Sequence, residues 1–288
     1  MSVRSDQVTH RFHGCYVATL TPFDSKDRLD TGVVRAHTHW LLEQGVAGLC
    51  PGGTTGEFLY LTTEEKRHLV EATVNAAAGR APVIAGIWGL REAERLLLAQ
   101  SAEEAGAKGV FLPPPIYYPA NDDVIYAYYA AVHQATNLPV FAYNIPQYAA
   151  NTISLECLER LFAEGIIAGV KDSTGKADRV GELVARFGAR GIVFAASDGF
   201  ASEGRQLGAD GFISAIANVA PSLFVRLWAG EDSLQPQVNA LREALKRVGS
   251  IPALKFMAAR HGLACGESRL PYAALTSEQQ AQLSALAI

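Results

Sequence analysis

A chain of 288 residues, 49% apolar and 19% charged, can bury a large core, and its composition excludes a disordered protein. A net charge of −4 and a pI near 6.0, without any Lys/Arg-dense segment, exclude nucleic acid as a general partner. No apolar run reaches the roughly 18 residues of a membrane span. Residues 1–13 lack an apolar signal-peptide core, so the cytoplasm is the expected location.

Short apolar or β-branched runs alternate with longer helical patterns, beginning with a strand at 15–20 and a helix at 31–44. A second strand at 48–51 runs into Gly52-Gly53-Thr54-Thr55-Gly56-Glu57. Two glycines there permit close backbone approach, and successive N–H groups beside two hydroxyls can cradle a small anion. The same residues also read as an ordinary polar turn. They do not form a P-loop, because no Gly-Lys-Ser/Thr closes them, and no dinucleotide fingerprint occurs in the chain.

A helix at 63–78, a strand at 83–87 and a helix at 91–105 precede the fourth strand at 109–112. Tyr117 and Tyr118 follow that strand after three prolines, where they line the barrel mouth or simply pack. A helix at 122–136 leads to the fifth strand at 140–144, which carries Tyr143 next to its end. A phenol there can relay protons, although a tyrosine capping a core strand is common.

After a helix at 154–164 the sixth strand, 167–171, closes on Lys171. Desolvation at the end of so apolar a strand disfavours the ammonium, as an amine nucleophile requires. A plain surface lysine is the competing reading. Lys108 sits at the opposite end of its strand and Lys255 lies among helical apolar residues, so neither competes well.

A helix at 176–187, a strand at 192–196, a helix at 199–207 and a strand at 211–214 complete eight βα repeats, the pattern of a (β/α)8 TIM barrel. Helices enter the next strand through Gly45-Val-Ala-Gly48, Gly106-Ala-Lys-Gly109 and Gly208-Ala-Asp-Gly211, with Gly165-Ile-Ile-Ala-Gly169 one residue longer. The first glycine supplies a left-handed helix cap and the second opens the strand. This echo favours a barrel of repeated units, and a doubly wound open sheet is the rival.

Residues 217–230, 234–248, 250–262 and 276–286 read as helices without further strands. The first completes a barrel spanning 1–230. The remainder form a C-terminal helical extension, 231–288, expected to pack on the barrel and to hint at subunit contacts. Cys15, Cys50, Cys157 and Cys265 are scattered without a Cys-x-x-Cys pair, which suits reduced thiols. His37 and His39 do not share a helix face, and His10, His13, His68, His133 and His261 make no ligand cluster, so no metal is expected.

Together and in this order, Gly53-Thr-Thr-Gly-Glu57, Tyr143-Asn-Ile-Pro146 and Gly169-Val-Lys-Asp-Ser173 resemble the dihydrodipicolinate synthase/N-acetylneuraminate lyase family. Ala18-Thr-Leu-Thr-Pro-Phe23, Gly211-Phe-Ile-Ser214 and Ala217-Asn218 extend the likeness along nearly the whole chain. The resemblance implies a metal-free and nucleotide-free class I enzyme acting on pyruvate and an aldehyde. Lys171 would form the imine, Tyr143 would shuttle protons, and Thr54 and Thr55 would bind the carboxylate. The carbonyl of Ile213 would border the substrate, and a homo-oligomer, dimer or tetramer, is implied.

Two departures bear on substrate. The synthases carry an arginine for the second substrate's carboxylate where this chain has Tyr148, and a neutral phenol replaces a bidentate cation. Their second mouth tyrosine falls on Ile116, unless a small loop shift lets Tyr117 or Tyr118 substitute. Both departures favour a lyase or aldolase for 2-keto-3-deoxy sugar acids over dihydrodipicolinate synthase or a 2-keto-3-deoxy acid dehydratase. A catalytically silent 2-keto-acid binder is the reading outside enzymes.

Overall fold

The computed structural model describes residues 12–286. Eight parallel strands alternate with helices in the order β1 (Gly14–Val17), α1 (Thr31–Glu43), β2 (Gly48–Leu49), α2 (Thr63–Ala77), β3 (Ile84–Gly86), α3 (Glu92–Ala105) and β4 (Gly109–Leu112). There follow α4 (Asp122–Ala135), β5 (Val140–Asn144), a single turn α5 (Pro146–Ala149), α6 (Leu155–Ala163), β6 (Gly169–Asp172) and α7 (Ala177–Phe187). The barrel ends with β7 (Ile192–Ala195), α8 (Ala201–Gln206), β8 (Gly211–Ser214) and α9 (Pro221–Trp228). The strands lie in the order β2-β1-β8-β7-β6-β5-β4-β3. A parallel bridge from Leu49 to Val83 joins the two ends, making a (β/α)8 barrel rather than an open sheet.

Several elements are shorter than their apolar runs suggest. The sixth strand begins at Gly169 and extends to Asp172, so Lys171 is its penultimate residue. The helix expected at 217–230 splits into a 3₁₀ turn, Ile216–Asn218, and α9, because Pro221 starts a new helix that it cannot continue. Pro146 likewise opens α5, a turn that periodicity did not reveal.

The glycine echo has a steric cause. Gly106 has φ 90° as the left-handed cap of α3. The second glycines make room for interior rings. A Cβ on Gly48 would collide with the Tyr16 ring, and one on Gly211 would lie 2.6 Å from the Phe194 ring. At Gly169 it would approach the Phe141 ring to 2.8 Å. The barrel interior is therefore filled by large rings from some strands against bare glycines from others, which keeps it packed and not hollow.

Beyond α9 come α10 (Gln235–Val248), α11 (Ser250–Ala259) and α12 (Ser277–Ser284). Val238, Leu241, Leu254 and Met257 join one apolar cluster with Val17, Leu49, Phe212 and Phe224 of the barrel. Each such side chain taken from water contributes roughly 1.5–3 kcal/mol, so the extension is held by the same force as the barrel. Among the described residues no helix is long and apolar enough to cross a membrane.

Candidate active site

Side chains alternate across β6, so Val170 enters the layer beneath the helices while Lys171 faces the barrel axis. Lys171 is 4% exposed. Its Nζ lies 3.9 Å from the centre of the Tyr143 ring and 5.2 Å from that of Phe111. Parallel pairing sets Tyr143 of β5 directly beside Lys171 of β6. Cys50 is close enough that burial pushes its thiol up to about 12 while the charge of Lys171 pulls the other way.

The pairing is locked from outside the barrel by residues that sequence reasoning left without a role. The buried Asp172 carboxylate accepts from Asn144 Nδ2 at 2.8 Å and from the Thr174 N–H at 3.0 Å. Asn144 Oδ1 in turn accepts the Ile153 N–H at 3.1 Å, and Arg179 donates to the Ile153 carbonyl at 2.9 Å. Asn144 and Asp172 are themselves paired in register, so this network fixes the ends of β5 and β6 and hence the pair they present. Both residues stood beside Tyr143 and Lys171 in the sequence motifs, but their contact appears only once the strands pair.

The turn after β2 brings in the third component. Gly52 has φ 73°, and the turn crosses β3 so closely that a Cβ on Gly86 would sit 2.2 Å from the Gly52 carbonyl oxygen. This approach delivers Thr54 to the mouth, with Oγ1 3.5 Å from Tyr143 Oη, and either hydroxyl can donate. Thr55 is buried next to it, and Ile213 of β8 belongs to the same interior cluster as Tyr143, Phe111 and Ile145. Lys171, Tyr143 and Thr54 thus meet at the C-terminal end of the strands, where barrels of this kind place their chemistry, and Thr55 is the next residue of the same turn.

The two remaining candidates stand apart. Tyr148 lies on α5 with 71% of its surface exposed. Tyr117 has φ 74° and is 81% exposed, its ring edge-on to Tyr118 at 5.0 Å. It is Ile116 that packs against the interior cluster, so the loop inserts an aliphatic side chain there. Asn151 holds this loop by donating to the carbonyls of Pro115 at 2.7 Å and Tyr118 at 2.9 Å, and by accepting the Ala120 N–H at 2.9 Å. Among the described residues no group of three or more His, Cys, Asp or Glu side chains could hold a metal ion, and His10 lies outside those residues. The four cysteines are buried and free.

A buried amine packed against a phenol at a barrel mouth, with hydroxyls and a glycine-rich turn alongside, has the form of a class I lyase or aldolase site. Residues 11–287 match the sequence model of the Dihydrodipicolinate synthetase family, and the chain belongs to that family of lyases and aldolases. It is 36% identical over 274 residues to the 4-hydroxy-tetrahydrodipicolinate synthase of Methylobacterium radiotolerans, covering 92% of this chain and 91% of that protein. The dihydrodipicolinate synthase of Aquifex aeolicus superposes with a TM-score of 0.88 at 29% identity, covering 95% of this chain and 96% of the other. The wild-type sialic acid aldolase of Ruminococcus gnavus shares the fold, with a TM-score of 0.91 at 24% identity and 95% of each chain covered.

Proposed function

We propose that the protein is a pyruvate-dependent, Schiff-base-forming lyase or aldolase that cleaves or forms a 2-keto-3-deoxy sugar acid. The observation that carries this reading is the buried Lys171 amine 3.9 Å from the Tyr143 ring, with Thr54 Oγ1 at 3.5 Å from that phenol. In the cleavage direction the Lys171 amine adds to the ketone carbon and water leaves. The protonated imine accepts the electron pair released as the C3–C4 bond breaks, and an aldehyde departs. Protonation of the enamine carbon and hydrolysis then return pyruvate and the free amine. Tyr143 moves protons in these steps, with Thr54 as its hydroxyl partner. Thr54 and Thr55 receive the carboxylate, and the Ile213 carbonyl borders the keto acid. No metal or nucleotide is required, because the imine is itself the electron sink.

Tyr148 supports the substrate preference. A neutral, exposed phenol suits a hydroxyl-bearing tail better than a second carboxylate. The second reading, 4-hydroxy-tetrahydrodipicolinate synthase, is favoured by the name of the Methylobacterium relative. Exposed Tyr117, Tyr118 and Leu90 on loops beyond β3 and β4 fit a homo-oligomer, which sedimentation would check.

The deciding experiment measures pyruvate release from a panel of 2-keto-3-deoxy acids against condensation of pyruvate with aspartate semialdehyde. Cleavage is expected. Condensation alone assigns the chain to the synthase reading, loss of water without C–C cleavage to a dehydratase, and imine formation without turnover to a binding protein. A Tyr148→Arg variant is expected to bind a carboxylated second substrate more tightly, and unchanged affinity removes Tyr148 from the specificity argument.

A further inference from the structure

Glu57, at the exit of the turn that carries Thr54 and Thr55, has φ 57° and ψ 33°, a left-handed conformation that strains any residue with a Cβ. Its N–H donates to the Thr54 carbonyl at 3.1 Å, so its conformation sets the closure of the turn. The Glu57 side chain is wholly buried, and its grip comes from a segment about 200 residues away. Lys255 of α11, also buried, places Nζ 2.6 Å from Oε1, and the Arg269 backbone N–H donates to Oε2 at 2.8 Å.

Both holders are themselves fixed. Lys255 donates to the Glu267 carbonyl at 3.0 Å and lies over the Phe23 ring at 4.2 Å. The Arg269 guanidinium donates to the Tyr60 carbonyl at 2.7 Å, to Glu65 of α2 at 2.6 and 2.9 Å, and to Asp27 at 2.8 Å. Thr21 donates to the Gly56 carbonyl at 2.6 Å from the other side of the turn. A buried ion pair is poor evidence for stability alone, since desolvation of both charges offsets much of their attraction. Placed on a strained residue beside an anion cradle, it is better explained as a device that fixes geometry.

We infer that Lys255 and Arg269 of the C-terminal extension are positioning residues for the substrate carboxylate, acting through Glu57 on the turn that carries Thr54 and Thr55. The inference rests on the keto-acid reading of that turn. Releasing Glu57 lets the turn relax, which misaligns the N–H groups and hydroxyls that receive the carboxylate. Lys171 on β6 and Tyr143 on β5 keep their strand positions, because the turn is not part of either strand.

The test traps the pyruvate imine with borohydride and follows adduct mass against pyruvate concentration, with the melting temperature measured in parallel. For Lys255→Met the half-saturating pyruvate concentration is expected to rise about tenfold, the change for losing the ion pair that holds the turn, while the plateau of adduct on Lys171 persists. The increase should shrink in a Thr55→Val background, because both changes act on one turn. A lower melting temperature with unchanged half-saturation overturns the inference and leaves a merely structural pair. Should Lys255→Met fail to fold, Glu57→Gln/Lys255→Met removes both charges together, and wild-type half-saturation in that variant overturns it equally. Failure of the underlying reading is distinct, because the unaltered chain then traps no pyruvate on Lys171.

Discussion

Lys171 and Lys255 are both buried, at 4% and 2% exposure, yet their surroundings differ in the one respect that matters for reactivity. Lys255 has the Glu57 carboxylate 2.6 Å away, and that charge opposes the fall that burial imposes on its proton affinity. Among the described residues no carboxylate lies within ion-pair distance of Lys171, whose amine faces the rings of Tyr143 and Phe111. Lys66 repeats the Lys255 arrangement, with Glu94 at 3.2 Å and the Trp88 carbonyl at 3.1 Å. Burial alone therefore does not mark a nucleophile. A buried amine bound to a counter-ion is a strut, whereas one set against neutral rings and a phenol has no carboxylate holding it away from a substrate carbonyl.

The sharpest way to break this contrast is to move the chemistry. Lys171→Ala is expected to lower turnover by more than about 10³-fold and to abolish the borohydride-trapped pyruvate adduct. Peptide mass mapping of the unaltered protein checks the other side, and an adduct on Lys255 would refute the distinction. Tyr143→Phe should cost on the order of 10²-fold in kcat while leaving Lys171 able to be trapped.

A smaller effect separates strut from nucleophile by stability. Lys255→Met leaves the Glu57 carboxylate buried without its cation, at a cost of about 3–5 kcal/mol in unfolding free energy. Glu57→Gln/Lys255→Met, with both charges gone, should recover most of that loss in denaturant melts. Equal losses in the two variants would mean that packing, and not the ion pair, holds the segment.

The smallest effect uses an acid under the same force. Burial pushes the Asp198 carboxyl up to about 6, against the opposing hydrogen bond from Ser214 at 2.6 Å and the charge of Arg242. A carboxyl that binds its proton more tightly when folded stabilises the fold at low pH, and that contribution is lost as pH rises through about 6. Melting temperatures should therefore fall between roughly pH 4 and 6 through this group, and Asp198→Asn should flatten that slope by a few degrees. An unchanged slope would show that Asp198 is ionised in the fold across this range.

The alternation of strands and helices, the paired glycines at the strand entrances and the motifs around Thr54, Tyr143 and Lys171 were legible in the amino-acid order. Each depends on local periodicity or on residue type at one position. The pairing of Asn144 with Asp172, the clamp of Arg269 on Tyr60 and Glu65, and the hold of Lys255 on Glu57 were not legible. Lys255 read as one lysine among helical apolar residues, because nothing local signals a partner nearly 200 positions away. Tyr117 and Ile116 differ for the same reason, since neighbours in the chain are turned to solvent and to the core only by the backbone of a folded loop. Sequence by itself determined which chemistry the chain carries. Closure of the barrel decided which buried charge is neutralised and which amine stands alone, because that depends on contacts between distant segments.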